Sequence, residues 1–446
     1  MSLSPHPARI SGWGRYPVID GPLVSPADTA EAAAAAGLMD GAIPRGNGRS
    51  YGDAALGAAL TIAGRRLDRF IAFDGANGTL VCEGGVLLSD IIDTLLPRGW
   101  FVAVTPGTRF VTVGGMIAAD VHGKNHHGAG SFCDHVEWLD LAIGDAVLRC
   151  SRIEHADLFA ATCGGMGLTG LILRAAFRLR PVPSASIRQQ GIRARNLDAA
   201  IEVFETTLDW TYSVAWIDCL AGGDHLGRSV VLLGEHAEVD ELPDPAIRAA
   251  PHARASQRTR RVPFDFPAFA LNPLSVGAFN GIYYRAQRTG ERIVPLNPYF
   301  YPLDAILEWN RIYGRRGFVQ YQCVLPLAES RAGLIRLLRE IARAGSGSFL
   351  AVLKRMGPAS FGLMSFPLAG YTLALDFPVS PANLALLDRL DAITAEHGGR
   401  IYLAKDGRAK PNFSAGYPKI DEFRAIRAKY GLTTRFASCL SQRLEL

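Results

Sequence analysis

Short apolar runs at 60–63, 79–82 and 139–143, set between glycine-rich turns, dominate the chain from Val18 to about Arg180. Runs of this length bounded by turn residues read as strands, and the few longer periodic stretches between them as helices. The alanine-rich stretch 26–38 follows Ser25, an N-cap residue with proline at the first helical position, so a helix is predicted there. A second helix is predicted over 89–96. The segment 168–179 alternates from Ile172 onward and ends at Pro181 and Pro183, which cannot continue a hydrogen-bonded ladder. A domain boundary is expected at 184.

Beyond it the pattern changes. Tryptophan, tyrosine and asparagine become more frequent, and apolar strands at 229–233, 318–326 and 372–378 alternate with helices around 197–207, 327–344 and 381–397. This predicts an open β-sheet covered by helices. Between them, 235–267 is rich in Pro, Arg and Ala and lacks periodicity, so a mobile loop is expected. Its Arg258, Arg260 and Arg261 read as a solvated run or as a contact to lipid phosphate. Residues 400–404 return to a strand and 420–430 to a helix. The expected fold class is α+β, with units 1–184, 185–399 and 400–446.

Composition narrows the class. A chain of 446 residues, 48% hydrophobic and 20% charged, can bury a core and is too apolar for disorder. The charge balance, 47 − 42 = +5, is mild and does not point to nucleic acid. Seven cysteines, odd in number and without a CxxC pair, argue against a disulfide framework or a structural zinc site. The first residues, MSLSPHPARISGWGRYP, lack the apolar core of a secretory signal, and no window is long enough for a membrane span. A cytoplasmic protein is expected, with peripheral contact at the inner membrane left open.

Three glycine constellations carry the candidate chemistry. The first, Arg45-Gly46-Asn47-Gly48-Arg49-Ser50-Tyr51-Gly52-Asp53, follows an apolar strand end and lets successive backbone N–H groups converge on phosphate oxygens. It is neither a Rossmann fingerprint nor a P-loop. Alone it reads equally well as a tight structural turn. The second runs from Pro106-Gly107-Thr108 to Thr112-Val113-Gly114-Gly115 and on to His122-Gly123. The third is Cys163-Gly164-Gly165-Met166-Gly167-Leu168-Thr169-Gly170. Together they favour a dinucleotide over a set of turns.

The order GxGRSYGD, PGT-x3-TVGG, HGKNHH and GGxGLTG resembles the FAD-linked oxidases of the vanillyl-alcohol oxidase type. Within that type the chain more closely resembles the flavin subunits of decaprenylphosphoryl-ribose epimerases, and the resemblance extends from Gly12-Trp13-Gly14-Arg15 to Arg443-Leu444-Glu445-Leu446. The resemblance implies a two-part FAD-binding domain with an inserted substrate domain. It implies that Arg45, Gly46, Asn47, Gly48, Arg49, Ser50 and Tyr51 cradle the FAD diphosphate. Pro106, Gly107, Thr108, Thr112, Gly115, Ala119, His122, Gly123, Asn125, Gly170 and Ile172 would line the rest of the cofactor, with Tyr402 closing over it. Many relatives attach the flavin to a histidine of the first loop, where this chain has Arg49, so FAD is expected to be non-covalent, with Arg49 lending charge to the diphosphate.

The same resemblance makes Lys405 the active-site lysine, a desolvated base that orients or accepts a hydroxyl proton, and places His122 near flavin and sugar. Gln320 and Gln322 alternate with Tyr321 and so share one strand face, which the family turns to the sugar. Tyr51, Lys124, Lys354 and Trp216 map to the substrate pocket, against plain alternatives of a surface lysine for Lys354 and a core aromatic for Trp216. The segment 299–304 is expected as a loop near the pocket mouth. Thr372 and Ala374 stand where actinobacterial members have asparagine and cysteine, so the pocket is expected to lack that thiol. No metal is expected: glycines break the spacing that would pair His122 with His126. The implied reaction oxidises the 2-hydroxyl of a polyprenyl-phosphate pentose, with a short-chain keto-reductase partner completing an epimerisation. The alternatives are a soluble sugar, alditol or aldonolactone oxidase, and a flavin-binding protein without turnover.

Overall fold

The computed structural model describes residues 3–253, 258–267 and 269–446. Near the N-terminus a four-stranded sheet runs in the order His6–Ser11, Val18–Val24, Leu60–Ala63, Ala42–Arg45, the first pair antiparallel and the others parallel. The crossover helix is Thr29–Ala36, shorter than the predicted 26–38. Asp28, rather than Ser25, caps it, accepting from the N–H groups of Ala30 and Glu31. A carboxylate in extended backbone satisfies these free donors, and Pro26 stays outside.

The strand Leu171–Pro181 organises the second sheet, pairing antiparallel with Thr79–Glu83, Val136–Ala142 and Trp100–Val102. The largest core lies between these two sheets and their helices.

An eight-stranded sheet, antiparallel between all neighbours, follows. Its order is Gly290–Pro295, Ser186–Ala194, Ser229–His236, Tyr212–Ile217, Ala351–Met356, Gly370–Pro378, Phe318–Pro326, Arg400–Ile401. One face is covered by the helices Leu197–Thr206, Leu327–Ala344 and Pro381–Glu396. Leu334, Leu337, Leu338 and Ile341, at helical spacing, pack with Leu325, Leu373 and Leu375 of the strands. Burying each such side chain contributes roughly 2 kcal/mol. The residues between them on the same strands, among them Gln320, Gln322, Lys354, Ala374 and Asp376, face a cavity.

Three local expectations change. The described part of 235–267 is no single irregular loop. It finishes the strand Ser229–His236, forms the helix Pro245–Ala249, and pairs Arg260–Arg261 in parallel with Ile306–Leu307. Arg254, a further arginine of this stretch that could meet anionic headgroups, lies outside the described residues. The segment 299–304 lines the cavity as expected, but as the short helices Leu296–Phe300 and Pro302–Ala305 rather than a loop, with Phe300 and Tyr301 buried because an aromatic run is more stable packed than exposed. The strand expected at 400–404 ends at Ile401, where the backbone turns so that Lys405 N–H reaches Tyr402 O at 2.9 Å. The chain then returns to the N-terminal sheet: Gly41 and Ala42 N–H donate to Thr434 O and Arg435 O.

Candidate active site

A cavity of about 1000 Å³ runs between the glycine loops and the open face of the eight-stranded sheet. That volume is at the upper end for ligand pockets and has room for a dinucleotide and a substrate. Every residue anticipated for cofactor or substrate lines it, except Asn125. Asn125 lies behind the wall, its Nδ2 donating to Ala103 O at 2.8 Å. No cysteine appears in the lining among the described residues, and Ala374 does.

The glycine wall is built for backbone approach. A Cβ on Gly46 would collide with Thr112 Oγ1, and Gly48 holds a φ of +63° that disfavours side chains. Asn47 Nδ2 donates to Phe110 O at 2.7 Å, tying the first loop to the second. Thr112 caps the helix Val113–Ala118 through the N–H of Gly115 at 3.2 Å. Arg45 directs its guanidinium to Ser11 O at 2.7 Å, bracing the loop. Arg49 lies 4.0 Å over the Trp13 ring. Burial lowers its pKa, and Asp304 pulls it back. Glycine positions where a Cβ would clash, as at Gly46 and Gly48, let the backbone approach a ligand closely, which fits the diphosphate and rings of FAD.

The opposite end holds the titratable groups. Gln322 Nε2 lies 3.0 Å from His122 Nε2 and donates to Thr372 Oγ1 at 3.2 Å. His122 Nε2 therefore accepts, and Nδ1 carries the hydrogen with no partner among the described residues. Burial, then Lys354, His126 and Lys405, hold His122 well below the usual histidine range, so the ring is neutral. Both nitrogens of His126 are engaged, by Ser131 Oγ and the Gly357 N–H.

Lys405 Nζ sits 3.8 Å over the Tyr51 ring. Burial pushes this lysine down and the Asp376 charge pulls it back up; burial pushes Asp376 up, opposed by its hydrogen bond to Gln320 and by the Lys405 charge. Asp376 accepts from Gln320 Nε2 at 2.6 Å and from the Tyr313 hydroxyl at 3.3 Å. Burial pushes Lys124 down to about 7 and Lys354 to about 8. Trp216 donates from Nε1 to Phe349 O at 3.1 Å and meets Tyr283 at 4.7 Å between ring centroids, giving the cavity an aromatic end with Phe279.

Two features went unread in the sequence. Asp376 was legible in principle, two residues after Ala374 on an alternating strand, although an acid there has no local signature. The other is a clamp: Arg443 Nη2 donates to Asp53 at 2.8 Å and Asp406 at 2.9 Å, joining the first glycine loop to the turn of Lys405. Tyr51 N–H donates to Ala404 O at 3.0 Å across the same junction.

A family model described as an FAD binding domain matches residues 22–151, which hold the first two glycine loops. The decaprenylphosphoryl-beta-D-ribose oxidase of Mycolicibacterium smegmatis is 36% identical over 450 residues, covering 98% of this chain and 97% of that protein. The chain belongs to this family of FAD-linked oxidoreductases. An uncharacterized protein of Streptomyces coelicolor is also 36% identical, over 81% of this chain and all of its own length. The L-gulonolactone oxidase of Mus musculus is 30% identical over 30% of this chain and 31% of its own. The family's FAD-binding unit is thus shared widely, while the nearly full-length likeness also spans the sheet that carries Gln320, Lys354 and Asp376 and the turn of Lys405. Membership makes the protein an α+β FAD-linked oxidoreductase, and the glycine wall fits that cofactor.

Proposed function

We propose that the protein oxidises the 2-hydroxyl of a polyprenyl-phosphate pentose to the 2-keto sugar, the first half of an epimerisation that a separate short-chain keto-reductase completes. The observation that carries this reading is one cavity with a glycine wall, a lysine–carboxylate couple beside two strand-borne glutamines, and an aromatic far end. The Mycolicibacterium smegmatis relative, an oxidase of a decaprenylphosphoryl ribose by its name, supports the substrate class.

FAD, when bound, supplies the two-electron acceptor for the hydride leaving C2. Neutral Lys405 takes the hydroxyl proton as the carbonyl forms, and the Asp376 carboxylate stabilises the resulting ammonium. Gln320 is held by Asp376 and Gln322 by His122 and Thr372, so both amides are fixed before the sugar arrives. Tyr51, packed edge-on to Phe318, keeps the lysine off solvent. FAD is held non-covalently, since arginine occupies the position of the attachment histidine. The division at 184/185 and 399/400 is retained as the boundary of the inserted unit.

The proposed workplace is the inner face of the membrane. No helix among the described residues is long and apolar enough to cross one. The helix Pro273–Ala286 nonetheless turns Phe279 and Tyr283 to the cavity and leaves Leu274 84% and Ile282 67% exposed, near Phe269 at 78%. Basic residues outnumber acidic ones five to one over 258–288, which favours an anionic lipid surface. Anaerobic mixing with prenylphosphoryl ribose, free pentose and an alditol tests the reading. Flavin bleaching by the lipid-phosphate sugar supports it; equal bleaching by the alditol assigns the protein to the soluble sugar oxidases.

A further inference from the structure

Lys124 and Lys354 line the cavity with no carboxylate beside either amine among the described residues. No carboxylate forms an ion pair with either among the described residues. Lys124 Nζ donates to the Phe300 carbonyl at 3.1 Å and lies 5.3 and 5.4 Å from the Tyr299 and Phe300 rings, contacts that leave its charge unbalanced. Lys354 stands opposite Thr372 in the sheet, and the groups it acts on electrostatically are Lys124, Lys405, His122 and His126, all of them basic. The two carboxylates in the lining are committed elsewhere: Asp304 accepts from Thr108 Oγ1 and Arg109 N–H, and Asp376 from Gln320 and Tyr313.

Burial and the Lys354 charge favour loss of a proton from this pair, and an anion bound between the two amines would restore both ammonium charges. The FAD diphosphate is provided for at the glycine loops, and these lysines belong to the sheet and the 122–127 loop instead. Their neighbours indicate what kind of anion. Val352 shares the cavity face with Lys354 roughly 6.6 Å along the strand, and Trp216 is its register partner, opening toward Phe279 and Tyr283. An ammonium pair bordered by an aromatic channel matches a phosphate esterified to an apolar chain.

We propose that Lys124 and Lys354 together form the oxyanion site for the substrate's lipid phosphate, resting on the function proposed above and assigning it a recognition element. The site holds the phosphate between the reacting sugar and the aromatic channel, so that a free pentose forfeits this anchor.

Farnesyl monophosphate, which has the phosphate and chain but no sugar to oxidise, isolates this site. Its binding to the FAD-loaded protein is read from the flavin difference spectrum, with farnesol and inorganic phosphate in parallel. Lys354→Met and Lys124→Met should each weaken farnesyl monophosphate about tenfold or more, as loss of a charge-assisted hydrogen bond does, and leave farnesol within about twofold. An unchanged flavin spectrum shows that the variants are folded and loaded. Farnesyl monophosphate binding unaffected by either variant, or farnesol weakened equally, overturns the site. Inorganic phosphate binding as tightly as farnesyl monophosphate overturns the lipid part of it. Lysine-dependent binding without oxidation of prenylphosphoryl ribose would leave this site standing and reject the proposed reaction instead.

Discussion

Arg443, three residues from the C-terminus, donates to Asp406 at 2.9 Å and so fixes the residue next to Lys405. The same guanidinium engages both oxygens of Asp53, and both carboxylates are buried. Removing one partner of a buried ion pair leaves the other charges uncompensated. Arg443→Met should lower stability by about 3 kcal/mol and slow flavin reduction, because the lysine turn and the Tyr51 loop lose their common tether. Thermal unfolding together with rapid-mixing reduction checks this; a variant of unchanged melting temperature would remove the clamp from consideration.

Lys405→Ala should abolish substrate-dependent flavin reduction, by roughly 10²–10⁴-fold for loss of a positioned base, while FAD stays bound. His122→Ala should impair reduction and cofactor retention together, since His122 joins the second loop to Gln322. Absorbance after gel filtration separates the two outcomes. Reduction of Lys405→Ala at the parental rate would reassign the base.

The pH dependence has a defined sign. Lys405 accepts a proton only when neutral, so reduction should rise with pH as the lysine deprotonates, and burial moves that rise below the ordinary lysine range. Asp376 acts oppositely, favouring the ammonium. Asp376→Asn should therefore shift the acid limb to lower pH, and also reduce the plateau, because the ammonium formed in the reaction loses its counter-charge. Movement of the limb to higher pH would overturn the assignment of Asp376 as the counter-charge of Lys405.

Acid or heat should release intact FAD from the yellow protein, with no flavin left on the polypeptide. Arg49 over Trp13 offers no attachment point. Fluorescence of the precipitated and soluble fractions decides the matter.

Leu274→Ser and Ile282→Ser should weaken co-sedimentation with vesicles containing anionic lipid and leave reduction by a short-chain, water-soluble prenylphosphoryl ribose near the parental rate. Both side chains point away from the cavity that Phe279 and Tyr283 line. Association should also fall with salt, because basic residues near a charged surface are screened over about 8 Å. Vesicle binding unchanged by both substitutions would place the contact elsewhere.

Much of this protein was written locally. Helices such as Leu327–Ala344 and strands such as Phe318–Pro326 follow from apolar spacing alone, because a period of 3.6 or 2 decides which face can be buried. The glycine loops were equally legible, since only glycine tolerates the backbone approach they make. Local pattern misjudged a helix whose end is set by contacts: Asp28 wins the cap over Ser25 because its carboxylate reaches two free N–H groups, while 299–304, expected as a loop near the pocket, lines the cavity as two short helices. The resemblance put Lys124, Lys354 and Lys405 in one pocket, but the pairing of Asp376 with Lys405, the clamp of Arg443 on Asp53, and the lack of a carboxylate beside Lys124 and Lys354 came only from the tertiary structure. Each involves residues from distant parts of the chain, and each acquires its chemistry from desolvation. A lysine's sequence records its charge, but only the assembled sheet and loops decide whether water or another charge stands beside it.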